Sequence, residues 1–286
     1  VPRSIEHVDA RFLHDWPLPE PGESKHARGD VLAVGGARRS PGALLLAGEA
    51  ALRVGAGRLT LAVGASVADH IAVAMPESGV VALEEDDDSV AGRSAAALEK
   101  DAADADAVLV GPGLDDADST LELLEGILPM LKQTTAVVLD AYALGVLTRL
   151  TDGVPRGRTV LTPNSDEAGR ILGREIEDLE SDLLEVAEST GAVLSSMGIV
   201  AAPGDRVWRV GIGGRGLATS GSGDVLAGIL TGLLARGATP EQAAVWATYL
   251  HVEAGNSAAR DIAPLGYLAR ELLPPLPGLM AALSAG

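Results

Sequence analysis

Before Ala192 short apolar segments, each stopped on Gly, Pro, Asp or Thr, alternate with helical patterns. Val31 to Val34 stops at Gly35-Gly36, and Gly42 to Val54 follows with helical spacing. Leu59 to Val63 is the next strand candidate. Val108 to Val110 stops at Gly111-Pro112-Gly113, Ala136 to Leu139 at Asp140, and Thr159 to Leu161 at Thr162-Pro163. Strands alternating with helices in this way predict an α/β fold, a central and mostly parallel sheet flanked by helices on both faces. Ligands of such sheets bind beyond the carboxyl ends of the strands, which are the stops just named. After Ala192 the pattern changes. Val193-Leu194, Ile199 to Ala202 and Val207 to Val210 read as antiparallel hairpins at a sheet edge, with a turn at Pro203-Gly204-Asp205. A helix from Val225 and another from Glu241 to Ala259 complete the pattern. No long linker, internal repeat or low-complexity tract divides residues 1–286, so a single domain is expected.

Composition narrows what the chain meets. Hydrophobic residues are 47% but aromatics only 2%, so the core is expected to be built from Ala, Val, Leu and Ile. The net charge of −18 leaves no basic stripe for nucleic acid, though a nucleotide can bind through local amides, a few Arg or Lys and a metal ion. Nine acids lie between Glu84 and Asp106 against Arg93 and Lys100, and the run Glu84 to Asp88 reads as a solvated loop rather than a metal cluster. There is no Cys, hence no disulfide or thiolate site. No apolar stretch is long enough for a membrane span, and the N-terminal segment has no apolar signal-peptide core, so a cytoplasmic protein is expected.

The segment Leu217 to Gly228, LATSGSGDVLAG, carries the most chemistry. Gly221 and Gly223 permit a tight turn with exposed N–H groups, directly before an apolar helix that Gly237 and Pro240 stop. Free amides at a helix N-terminus are a ready anion site. A carboxylate there, Asp224, would repel the anion. It makes sense if Asp224 takes a proton from a hydroxyl while the amides hold a phosphate. Alone, the tetrapeptide is equally readable as a helix cap. Other patterns lack their context. Gly211 to Gly216 matches G-x-G-x-x-G but follows a hairpin and opens no helix. His251-Val252-Glu253 has the H-x-E of zinc deaminases without their cysteines, and the remaining His residues show no ligand spacing. There is no P-loop and no nucleophile elbow.

Five ordered blocks between Ser24 and His251 resemble the ATP- or ADP-dependent NAD(P)H-hydrate dehydratases of the ribokinase-like fold. They are Ser24 to Val63, Val108 to Leu114, Val137 to Leu144 (VVLDAYAL), Leu161 to Gly173 (LTPNSDEAGRILG), and Leu217 to Gly228 with the LLARGATPEQAAVWATYLH that follows. The resemblance implies a ribokinase-like sheet. It also implies repair of NADH or NADPH that has added water across the nicotinamide ring: a nucleotide phosphorylates the new hydroxyl and the phosphate leaves. Asp224 matches the general base. Gly221, Ser222 and Gly223 would hold the transferring phosphoryl group through their amides. Ala43, Gly113 and Asn164 match positions that contact the hydrated dinucleotide. The implied cofactors are ATP or ADP with Mg2+, on metal ligands that the motifs do not identify, and the implied assembly is a homo-oligomer with no nucleic-acid or membrane partner. A kinase of a small alcohol, or a nucleotide-binding relative with little activity, would use the same Asp and amides.

The chain also departs from the family pattern. Asn164 stands where the family usually has His, and Ser165 and Asp166 replace Pro and Gly. VLSSMG lacks the Lys of the family's V-L-K-G block, with Ser196 or Met197 near that place. Tyr142 replaces an acid. These changes predict weaker nucleotide binding, unless Arg215 or Arg209 replaces the Lys, and a preference for the NADH form.

Overall fold

The apolar segments pair into one large sheet because each is bounded by residues that end a strand and carries side chains that need covering on both faces. The computed structural model describes residues 4–284. Its strands are β1 (Ser4–His7), β2 (Asp30–Val34), β3 (Arg58–Gly64), β4 (Gly79–Leu83), β5 (Glu85–Asp86), β6 (Ser89–Val90), β7 (Ala107–Val110), β8 (Ala136–Leu139), β9 (Thr159–Leu161), β10 (Val193–Ser196), β11 (Ile199–Ala202) and β12 (Arg206–Arg209). The helices are α1 (Ala10–Asp15), α2 (Gly42–Arg53), α3 (Ala68–Ala74), α4 (Glu99–Asp104), α5 (Ala117–Ile127), α6 (Tyr142–Gly145), α7 (Ser165–Leu172), α8 (Leu179–Thr190), α9 (Ser222–Ala235), α10 (Pro240–Asp261) and α11 (Leu276–Ser284).

Ten strands form the main sheet in the order β1-β12-β11-β10-β9-β8-β7-β2-β3-β4. Only β11 runs against its neighbours, pairing antiparallel with β10 and β12. The expected hairpins are present, but they are not the edge. The N-terminal strand β1 adds in parallel outside β12, from Ser4↔Arg206 to His7↔Arg209. No helix among the described residues is long and apolar enough to cross a membrane.

Alternate residues of each strand enter two separate cores, as a sheet buried on both faces requires. Val31 and Ala33 of β2 pack with α2, α9 and α10, while Leu32 and Val34 pack with α5 and the layer that contains α8. The strand order places the site. From β2 the chain runs outward through α2 to β3 and β4. It then returns to β7, beside β2, and proceeds the other way to β8, β9 and β10. Because α2 and α5 lie on opposite faces, a crevice opens at the carboxyl ends of β2 and β7, where the winding reverses.

The acidic run is more ordered than a solvated loop. Glu85-Asp86 and Ser89-Val90 form a small hairpin, with Asp87 and Asp88 at its turn at φ 49° and 74°. Arg93 pairs with Glu84 and Asp86, and Arg38 with Asp88. The arginines offset charge that sequence spacing alone leaves unmatched.

Candidate active site

At the reversal point the loops after β2 and β7 interlock. Gly36 N–H donates to the Pro112 carbonyl at 2.9 Å and Ala37 N–H to the Gly113 carbonyl at 2.9 Å. Gly113 is confined to glycine twice over: its φ is +73°, and an added Cβ would lie 2.4 Å from the Ser40 carbonyl oxygen. Ser40 in turn leads into the first turn of α2, where Ala43 N–H reaches the Ser40 carbonyl at 3.4 Å.

Helices α2 and α9 run side by side in the same direction. A Cβ on Gly228 would meet the Ala47 carbonyl oxygen at 2.1 Å, and one on Gly232 the Ala51 carbonyl oxygen at 2.6 Å. One turn earlier on each helix stand Asp224 and Ala43, so the packing brings both to the same end of the pair. The amino ends of two helices, each with unsatisfied N–H groups, thus converge on the crevice.

The N-cap of α9 is Gly221 in the left-handed region, φ 88°, with no side-chain cap. Ser222 N–H is taken by the Thr219 carbonyl at 3.1 Å, so of the three expected anion-binding amides this one is spent within the turn. Among the described residues Gly221, Gly223 and Asp224 N–H have no backbone acceptor outside the helix. Asp224, the third helical residue, is half-buried, and that burial pushes its carboxyl up to about 6. Burial alone causes the rise, and among the described residues no side chain hydrogen-bonds that carboxyl.

A second carboxylate, which the sequence analysis left unassigned, closes the site. Asp140, at the end of β8, is fully buried and pushed up to about 7. The causes are burial first, set against the Thr162 hydrogen bond, then repulsion from Asp224 and Glu167. Thr162 Oγ1 donates to Asp140 Oδ1 at 2.6 Å. The signal for Asp140 was its place at a strand end inside VVLDAYAL; its coupling to Asp224 came only with the fold.

Asn164 lies just past β9 as expected, but its side chain has a structural duty. Its Oδ1 accepts from Glu167 N–H at 2.9 Å, and Glu167 Oε2 accepts from Asn164 N–H at 2.9 Å, a complete capping box for α7. Among the described residues the amide nitrogen of Asn164 has no hydrogen-bond partner. The stretch that lacks the family's Lys is a tight hairpin. Met197 and Gly198, at φ 48° and 80°, form the two-residue turn between β10 and β11, so the residues near the Lys place stand at the end of β10 and in this turn, and none of them is basic. Ser196 is buried, and its Oγ has no hydrogen-bond partner. Arg209 does not compensate, because it is paired with Glu180. Arg215 lies in the short turn Arg215–Leu217, ahead of Gly221 at the N-cap of α9, and no ion pair holds it among the described residues.

A groove of about 430 Å3 opens beside the amino end of α9, lined by Gly42, Leu46, Ser220 and Arg270 among others. A larger cavity of about 640 Å3 sits at the opposite, carboxyl ends of α2 and α9, around Arg53 and Arg236, and is remote from this chemistry.

Comparison with known proteins agrees with this geometry. The family model described as NAD(P)H-hydrate dehydratase matches residues 31–277. An ADP-dependent (S)-NAD(P)H-hydrate dehydratase of Xanthomonas campestris is 40% identical, covering 99% of this chain and 98% of that relative. A bifunctional NAD(P)H-hydrate repair enzyme Nnr of Moorella thermoacetica is 37% identical over 96% of this chain, which spans 54% of that longer protein. Among solved structures, the ADP/ATP-dependent NAD(P)H-hydrate dehydratase of Bacillus subtilis, co-crystallised with ATP and Mg2+, aligns with a TM-score of 0.77 at 26% identity, over 97% of this chain and 98% of that one. A ribokinase-like protein of Enterococcus faecalis, at TM-score 0.83, 22% identity, 99% of this chain and 97% of that one, shares the fold. With the match spanning both interlocked glycine loops and the Asp224 turn, the chain belongs to the NAD(P)H-hydrate dehydratase family.

Proposed function

We propose that the chain restores NADH or NADPH from its hydrate, using ADP or ATP. The ring hydroxyl attacks the terminal phosphoryl group of the nucleotide while Asp224 takes the hydroxyl proton. The carbon–oxygen bond then breaks, phosphate departs, and the neighbouring ring carbon gives up the proton that water had added. The observation that carries this reading is Asp224 itself, a half-buried carboxylate raised to about 6, in the first turn at the amino end of α9. Such a group is ionised at neutral pH yet basic enough to accept a proton. We assign the anion hole to the N–H groups of Gly221, Gly223 and Asp224, with Ser222 contributing its side chain instead of its amide. Ala43, Gly113 and Asn164 are the proposed contacts of the hydrated dinucleotide.

Mg2+ belongs to the same proposal. Among the described residues no group of three His, Asp or Glu side chains is placed to hold a metal ion by itself. Mg2+ does not need one, since it keeps several waters and takes one or two carboxylates with the nucleotide's phosphates. Asp140 suits that use: its buried carboxyl has one Thr162 hydrogen bond and bears repulsion from Asp224 and Glu167, which a cation would relieve. When bound, the ion would neutralise charge on the phosphates.

The direct test is to incubate hydrated NADH, and separately hydrated NADPH, with ADP or ATP and follow the return of absorbance at about 340 nm. Recovery that needs both nucleotide and protein is the expected result. Nucleotide binding without recovery from either hydrate would favour the binding-only reading.

A further inference from the structure

The first turn of α9 has no side-chain cap of its own, but it is tied to α10 through His251. His251 Nε2 lies 2.8 Å from Ser222 Oγ and 3.0 Å from the Ser222 carbonyl oxygen. A carbonyl oxygen only accepts, so the second contact is a hydrogen bond when Nε2 carries the proton. Burial pushes His251 down to about 4, so the ring is neutral at physiological pH and its one proton sits on Nε2. The opposite arrangement, with Ser222 donating to a bare Nε2, would face a nitrogen lone pair against the carbonyl oxygen. That geometry also excludes His251 as the base of a Ser222 nucleophile. With Nε2–H shared between two oxygens of Ser222, the serine's own hydroxyl proton is left for a third acceptor.

We propose that His251 is a positioning residue for phosphoryl transfer, fixing the Ser222 hydroxyl so that it donates to the transferring group beside the amides of Gly223 and Asp224. This rests on the phosphoryl-transfer reading of the site. A serine at the first helical position can otherwise occupy several rotamers. His251 removes that freedom, so the donor is aimed before charge develops on the phosphoryl oxygens and no reorganisation accompanies the transfer. The residue does this from outside the site, through Ser222 alone.

Three variants and one spectrum test it. His251→Phe fills the ring's space without a donor, Ser222→Ala removes the hydroxyl, and His251→Gln returns an N–H. With hydrated NADH and ATP, the Phe and Ala variants should each lose at least about tenfold in kcat while KM for either substrate moves by less than about threefold. The double variant should fall no more than about threefold below the worse single, because both act on one hydroxyl. His251→Gln should recover part of the loss. If Ser222→Ala keeps more than about half the kcat, or the two losses multiply, His251 supports the helix pair and nothing more. Should His251→Phe fail to fold, Ser222→Ala and His251→Gln still decide between these outcomes. The nitrogen-15 spectrum of the imidazoles in the wild-type protein needs no substrate. It should show His251 neutral and protonated at Nε2. A ring protonated at Nδ1 overturns the proposal. The expected tautomer in a protein inactive on both hydrates would instead sink the dehydratase reading.

Discussion

The roles of single residues here depend on what they cannot bond to. Asp224 has no hydrogen-bonding side chain among the described residues, and burial raises its pKa from the ordinary 3.8 to about 6. Two outcomes follow for Asp224→Asn. Turnover should fall about 10²- to 10⁴-fold, since the amide keeps the shape and cannot accept the proton; in the wild type, kcat/KM should rise between about pH 6 and about pH 7, as Asp224 and its neighbour Asp140 ionise, and then level. Stability should move the other way. The folded pKa lies above the unfolded one, so the unfolded chain ionises first, and the native state loses stability as pH rises from about 4 to about 6. The Asn variant escapes that loss. It should melt about 3 °C or more above the wild type at pH 7.5 and level with it near pH 4. Equal melting at both pH values would show that Asp224 is not strained. Arg215 and Arg209 make a second residue-scale contrast. Arg209 is engaged by Glu180, so Arg209→Ala should leave ATP affinity unchanged in titration calorimetry. Arg215→Ala should weaken it about tenfold, the worth of one charge-assisted hydrogen bond. At this scale the sequence exposed Asp224 because its motif is contiguous. It hid Asp140 and His251, whose partners come from other elements of the sheet and helix layers.

Elements fix how near these residues come to one another. Helices α2 and α9 approach so closely that Gly228 has no room for a Cβ, the Ala47 carbonyl oxygen being 2.1 Å from where it would be. Gly228→Ala should therefore destabilise by about 1–2 kcal/mol, the overpacking exceeding the roughly 1 kcal/mol that Ala gains in a helix. It should also lower kcat by separating Ala43 from Asp224. Gly278→Ala, in α11 with nothing within 4 Å of the new methyl, is the control and should stabilise. Thermal melts and rates on both variants decide whether contact or propensity governs. At α7, Asn164→His restores the family's usual residue but removes the Oδ1 that caps the helix. It should cost about 1 kcal/mol in urea unfolding, whatever it does to substrate affinity. The parallel strands were legible because each carries its own stop signal. β1 was not: SIEH has no apolar alternation, and its partner β12 comes from the far end of the chain. Without β1, the β10–β12 hairpins look like an edge.

At the scale of the whole molecule, an acidic protein must admit acidic substrates. The net charge is −18, while nucleotide and hydrated dinucleotide both carry phosphates. The first turns of α2 and α9 favour negative charge at the crevice, a short-range effect of helix ends. Farther out, the molecule repels what it must bind. At about 10 mM salt the Debye length is about 30 Å and approaching ligands feel the net charge; at 150 mM it is about 8 Å and they do not. kcat/KM should therefore rise with salt over this range, through faster encounter, while kcat for bound substrate stays level. NADPH-hydrate carries an extra phosphate, and if the dinucleotide binds at Asn164 as proposed, the exposed Asp166 beside it adds repulsion, so its rise should exceed that of NADH-hydrate. Asp166→Asn should narrow the difference between the two. Steady-state rates on both hydrates across this salt range, at fixed nucleotide and Mg2+, provide the measurement. A kcat/KM that falls with salt would mean the helix ends and nearby arginines dominate the approach path, and that the acidic surface is turned away from it.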